Sequence, residues 1–332
     1  MIRSIGISRQ NCEVQAIDIW RDGLSATILT WGAVVQDLRL LGHDAPLVLG
    51  FRKFKHYPRY SPYYGAIAGR VANRIANGHG KIGDLSFHSD TNFLGKHSLH
   101  GGKDGFGTRD WDIRDHGHDF VELGLRDPDG MMGFPGALDV TCRYEIQPGN
   151  ELVVTLDAKT DAPTFCNLAH HSYFCLDDTG DIRGHELQIH ADAYLPCDAE
   201  FIPTGEIRDV TDTSYDFRTV RLIGACDPCA YDVNYCLGTS KVPIRPVATV
   251  KSPHSGIMMQ VASTEPGLQL YTGHKLGPPV PGLNGRLNGP YSGLCLEPQL
   301  WPDAPNHPHF PSISLYPDTH YHQKSSFTFA VT

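Results

Sequence analysis

Proton transfer near neutral pH is the work of carboxylates and imidazoles, and this chain sets one of each in apolar surroundings. Glu297 stands in "GLCLEPQLW", between leucines and a proline, with Trp301 close by. If that run is a strand, Leu294 and Leu296 share one face and Cys295 and Glu297 the other. A carboxylate held among such neighbours loses solvation, which raises its pKa toward the range of a general base. Read alone, Glu297 is equally an exposed edge residue, as most glutamates are. The stretch "LAHHSYF", residues 168–174, sets His170 beside His171. Adjacent residues of a strand face opposite ways, so the two cannot serve one pocket. Either alone is also readable as a hydrogen-bonded structural histidine.

Other polar groups could frame a small ligand. "HSLHGG", 97–102, ends in two glycines that would let backbone approach a ligand closely. "GRVANRIANG", 69–78, offers Arg70, Asn73 and Arg74, side chains suited to hydroxyls and carbonyls. Metal binding is weakly supported. "HPH" at 307–309 and "HYH" at 320–322 pair His307 with His309 and His320 with His322, but no carboxylate follows either at a familiar spacing. The single Cys-x-x-Cys, Cys226 to Cys229, has no second pair, and Cys236 supplies at most a third ligand. "GKDGFGTRDW" lacks the Lys-Ser/Thr end of a phosphate loop.

The elements that must hold these residues are strands. In "DVTCRYEI", Val140, Cys142, Tyr144 and Ile146 alternate with Asp139, Thr141, Arg143 and Glu145. "ELVVTLDA" sets Leu152, Val154, Leu156 and Ala158 on one face, and "ELQIHADA" does the same with Leu187, Ile189 and Ala191. "SFTFAVT" reads as a last strand. Such alternation marks half-buried antiparallel strands. With 34 glycines and 24 prolines punctuating them, the pattern predicts an all-β protein of packed sheets. No linker or fixed-period repeat divides the chain, so residues 1–332 are expected to form one domain. The Gly/Pro-rich loop at 276–293 leads into the Glu297 strand, and loops of that length are often functional.

A net charge of −9 disfavours nucleic acid and anionic membrane surfaces as partners. The N-terminus has no apolar signal segment, and no run is long enough to span a bilayer. Nine scattered cysteines and no Asn-x-Ser/Thr site suit reduced thiols, so a cytoplasmic location is expected.

Five ordered motifs, "GRVANRIANG", "SLHGG", "HHSYF", "GLQLYTG" and "GLCLEPQLWPDA", make the chain resemble the aldose 1-epimerase (galactose mutarotase) family over roughly residues 60–320. The resemblance implies a large antiparallel β-sandwich, the galactose mutarotase-like supersandwich, with an open sugar-binding cleft. It implies interconversion of α and β anomers of a free aldose by an isomerase with no metal, nucleotide or redox cofactor, acting as a monomer or homodimer. His171 matches the acid that protonates the ring oxygen, and Glu297 the base that takes the anomeric proton. His100 matches a supporting histidine. Asn73, Arg74, Tyr173, Asp232 (in "YDVNYCL") and Gln269 match residues that hold the sugar. His170 then faces away from the cleft and should be neutral and hydrogen-bonded. The chain departs from the family at His170 and Cys175, where Asn is usual, at Val233–Tyr235, where His-Asn-Phe is usual, and at "GFGTRDW". Two rival readings remain. A glycoside hydrolase would use Asp232 and Glu297, about 5–5.5 Å apart for retention or 6.5–9.5 Å for inversion. A non-catalytic carbohydrate-binding module would bind sugar on the same sandwich without turning it over.

Overall fold

The computed structural model describes residues 1–61, 63–226 and 229–332. Its largest sheet is nine-stranded and antiparallel. It runs from Asp112–His116 through Phe120–Asp127, Leu138–Gln147, Glu151–Thr160, Tyr321–Val331, Ile257–Ser263, Arg245–Lys251 and Glu186–Ile189 to Arg221–Leu222. The alternation is realised directly. Leu138, Val140, Cys142, Tyr144 and Ile146 are all buried, and their intervening neighbours are not. A five-stranded sheet of Arg208–Asp209, Ala193–Leu195, Asp232–Cys236, Gly267–Tyr271 and Cys295–Gln299 lies against it. Gln323 donates from the large sheet to the Pro298 carbonyl at 2.9 Å, and Phe327 packs on both His170 and Phe174, at 5.6 and 5.0 Å between rings. A four-stranded meander, Ile2–Ile7 to Val35–Leu40, completes the larger sheets.

Two expectations about loops change. Residues 276–293 contribute nothing to the lining of the candidate cleft. They serve as structural cover: Arg52 donates to the Leu283 carbonyl, and Asn288 donates to the Tyr64 hydroxyl. Gly101 is needed for chain-to-chain contact and not for ligand approach. Its φ is +85°, and a Cβ there would lie 2.0 Å from the Gly69 carbonyl oxygen.

Arg70 is also structural. Its guanidinium is 1% exposed and donates to Asp127, to the Pro135 and Gly136 carbonyls and to Thr164. It ties the neck of the cleft loop to the end of strand Phe120–Asp127. Removing one member of a buried pair strands the other, which costs about 3–5 kcal/mol. Arg109 also pairs with Asp127, so the low end applies. Arg70→Met is expected to lower unfolding stability by about 3 kcal/mol, measured by urea denaturation. A loss under about 1 kcal/mol would show that the network contributes little.

Candidate active site

Several backbone segments converge on an open cleft of about 180 Å³ at one face of the five-stranded sheet. Strand Cys295–Gln299 supplies Glu297, whose neighbour across the ladder is Gln269 of Gly267–Tyr271. Strand Asp232–Cys236 supplies Asp232. Short strand Ala169–His171, paired with Ala66–Ala68, supplies His171, and the chain just beyond it supplies Tyr173. The pairing of Arg74–Ile75 with Ser98–Leu99 brings Asn73 and Arg74 beside His100. All eight residues matched by motif line this one cleft.

At one end sit Glu297 and His171. His171 Nε2 lies 3.5 Å from Glu297 Oε1, and both side chains are nearly fully buried. Glu297 Oε2 is buried and has no hydrogen-bond partner among the described residues. Burial pushes Glu297 well above the usual carboxylate range, and nearby Asp232 adds to this. The same burial pushes His171 down to about 4. Each group therefore resists its charged form, while their mutual attraction, about 4 kcal/mol for charges 4 Å apart at an effective dielectric of 20, favours it. These opposing effects leave the pair sharing one proton at neutral pH. Cys295 Sγ approaches the other ring nitrogen, His171 Nδ1, at 3.5 Å.

His100 plays a fixed part. Its Nδ1 accepts from the Asn73 backbone N–H at 3.2 Å, and its own backbone N–H donates to the Asn73 carbonyl at 2.9 Å. Burial, with His171 and Arg74 adding to it, holds its pKa well below the ordinary imidazole value. A neutral ring whose Nδ1 accepts must carry its proton on Nε2, so His100 is a hydrogen-bond donor. At the other end Asp232 accepts from Gln269 at 2.7 Å and from Arg74 at 3.2 Å. The Arg74 guanidinium lies between the Phe93 and Phe201 rings, at 4.8 and 5.3 Å.

The cleft also holds Tyr63, Phe93, Leu99, Tyr271 and Lys275, which the motifs did not single out. Tyr63 packs on His100 and His171, with ring centroids 4.5 and 5.8 Å apart. Tyr271 and Lys275 lie in and just after the quoted "GLQLYTG", and a cleft-facing strand end is the signal that could have included them. The flanking histidines do find carboxylates, contrary to the spacing. Asp157 lies 3.1 Å from His320 and 2.8 Å from His322, and Asp303 lies 3.3 Å from His307. Asp157 comes from a distant strand, which sequence spacing does not register, whereas Asp303 lies only four residues before His307. In the Cys-x-x-Cys, Asp227 and Pro228 lie outside the described residues, and Cys226 accepts from Arg221. Among the described residues, two groups bring metal-type ligands together. In Cys175–Asp177–His185, His185 Nε2 already accepts from the Leu176 N–H at 3.0 Å, so Nδ1 bears the proton and no lone pair is free for an ion. In His171–Cys295–Glu297, the thiol and the carboxylate meet opposite nitrogens of one ring, the geometry of a relay and not of a chelate.

His170 is 3% exposed and faces the core, between Tyr144 and Phe327. Its hydrogen bonding is poorer than expected. Nδ1 has one long contact, 3.4 Å to the Tyr144 hydroxyl, which itself donates to the Ala33 carbonyl at 2.7 Å, and Nε2 has no partner among the described residues. Burial, with a smaller contribution from His171, pushes it down to about 3. The unfolded chain takes up this proton near pH 6.5, the ordinary imidazole value, while the folded chain does not. The unfolded state thus binds more protons below that pH, and stability is lost as pH falls from about 6.5 toward 3. Between pH 7 and 5 the wild type should lose about 2 kcal/mol relative to His170→Asn, measured by urea unfolding at both values. A constant difference between the two proteins would contradict this.

The arrangement is a β-sandwich with an open cleft that sets a buried carboxylate–imidazole pair, group types suited to proton transfer, at one end and an Asp-Gln-Arg cluster, group types suited to hydroxyls, at the other. The aldose 1-epimerase family profile matches residues 15–328, a longer span than the motifs alone suggested. Galactose mutarotase of Mus musculus is 39% identical over 329 residues, covering 96% of this chain and 94% of that one. Aldose 1-epimerase of Escherichia coli K12 is 34% identical over 313 residues, covering 89% and 88%. The crystal structure of an aldose epimerase homologue from C. elegans superposes with a TM-score of 0.89 at 31% identity, covering 96% of this chain and 99% of that one. The chain belongs to the aldose 1-epimerase family.

Proposed function

We propose that this chain is a mutarotase that interconverts the α and β anomers of a free aldose such as galactose or glucose, with Glu297 and His171 as its acid/base pair. A cyclic aldose is a hemiacetal. Opening it requires one proton to leave the anomeric hydroxyl and one to reach the ring oxygen. The observation that carries the reading is the orphaned Glu297 Oε2, buried in the cleft wall beside His171 and ready to accept a hydroxyl. Glu297 takes the anomeric proton as His171 delivers its own to the ring oxygen. The open aldehyde turns about its first carbon–carbon bond, and the same two groups, roles reversed, close the ring on the other face. The pair needs one proton between its members at the start, so activity should follow a bell-shaped pH profile. His100 donates near the reacting end, while Asn73, Arg74, Asp232 and Gln269 hold the remaining hydroxyls beside Tyr173. The cytoplasm is the proposed compartment, in keeping with nine free cysteines.

A hydrolase using Asp232 as second carboxylate is disfavoured, because Arg74 and Gln269 already engage both of its oxygens. Polarimetry of freshly dissolved α-galactose tests the proposal. Mutarotation should accelerate in proportion to protein concentration, with no release from an aryl galactoside. Aryl release would support the hydrolase, and sugar binding without faster mutarotation would support the binding module.

A further inference from the structure

Lys275 is a cleft residue to which no role has been given. It follows strand Gly267–Tyr271, and its backbone N–H donates to the Tyr271 hydroxyl at 3.3 Å. Its ammonium lies 3.4 Å from the centre of the Phe201 ring, the same ring that covers Arg74. Among the described residues it forms no ion pair, whereas Arg74 is matched by Asp232. Through that shared ring Lys275 sits with Arg74 and its partner Asp232, at the end of the cleft across from the Glu297–His171 pair.

The charge balance of the lining follows. Arg74 and Asp232 cancel, the Glu297–His171 pair shares one proton and is neutral overall, and His100 is neutral. Lys275 leaves one positive charge unmatched at the mouth, in a protein whose net charge is −9. A local potential of that sign attracts an anion. We infer that the cleft accepts, besides neutral aldoses, an aldose bearing a carboxylate at the end remote from its anomeric carbon, a hexuronate, with Lys275 as the residue that selects it. One unmatched ammonium suits a monoanion. A phosphate dianion would call for further free donors, and both terminal nitrogens of the Arg74 guanidinium are already committed to Asn73 and Asp232. The inference rests on the mutarotase reading and adds a substrate class to it.

Anomer-exchange NMR on galactose, galacturonate and galactose 6-phosphate tests it, each rate taken above the uncatalysed background. The quantity read is the kcat/KM of galacturonate relative to galactose. In Lys275→Met this ratio should fall about tenfold, the effect of one partly screened charge pair, and Lys275→Arg should retain it. Raising ionic strength from about 0.01 to 1 M should erode the wild-type ratio. Turnover of galactose without galacturonate, or a ratio that Lys275→Met leaves within twofold, overturns the inference and leaves the mutarotase reading standing. Preference for the 6-phosphate over the uronate overturns the carboxylate assignment. If the wild type accelerates none of the three sugars, the mutarotase reading fails and the inference falls with it.

Discussion

Glu297→Gln should lower the anomerisation rate by about 10²–10⁴-fold, the range that a positioned general base supplies, with the fold intact. The amide keeps the shape of the carboxylate and cannot take a proton. The same substitution should make the protein as stable or more stable. The folded Glu297–His171 pair keeps one proton that the unfolded chain gives up above the ordinary imidazole value of about 6.5. Native stability is therefore lost as pH rises, and a glutamine removes that loss. A melting curve at pH 8 and a mutarotation assay on one preparation read both effects. Near-wild-type turnover would remove Glu297 from the base role.

The second large effect separates two neighbouring histidines. His171→Asn should cost on the order of 10²-fold or more in turnover, and His170→Asn less than about threefold. The two sit one residue apart on a strand of only three residues, yet the strand points them to opposite environments. His171 meets Glu297, Tyr63, His100 and Tyr173, while His170 meets Tyr144 and Phe327. A side chain in the core can act on the cleft only through the backbone between them. Similar losses in both variants would mean that this separation does not hold in solution.

Much of the sheet was legible because its cause is local. Half-buried strands force a period of two, and Val140, Cys142, Tyr144 and Ile146 display it without reference to anything distant. The facing of His170 and His171 was legible for the same reason. Arg70 and Arg74 were not distinguishable by type. They lie four residues apart in one motif, and only the distant Asp127 and Asp232 decide that one braces the fold and the other faces the cleft. Tyr63, Phe93 and Lys275 reach the cleft from loops, where no periodicity predicts direction. The raised pKa of Glu297 could be argued from its leucine, proline and tryptophan neighbours. The depressed pKa of His171 could not, because its flanking sequence is mixed and its burial arises from packing against strand Cys295–Gln299.

The most direct measurement is two-dimensional exchange NMR on galactose already at anomeric equilibrium, where nothing is consumed and only interconversion is seen. With wild-type protein, cross-peaks between the α and β anomeric protons should grow at a rate proportional to protein concentration, and with Glu297→Gln they should return to the uncatalysed level. Cross-peaks no faster with wild type than in buffer, or equally fast with wild type and Glu297→Gln, would contradict the assignment of acid/base ring opening to this cleft.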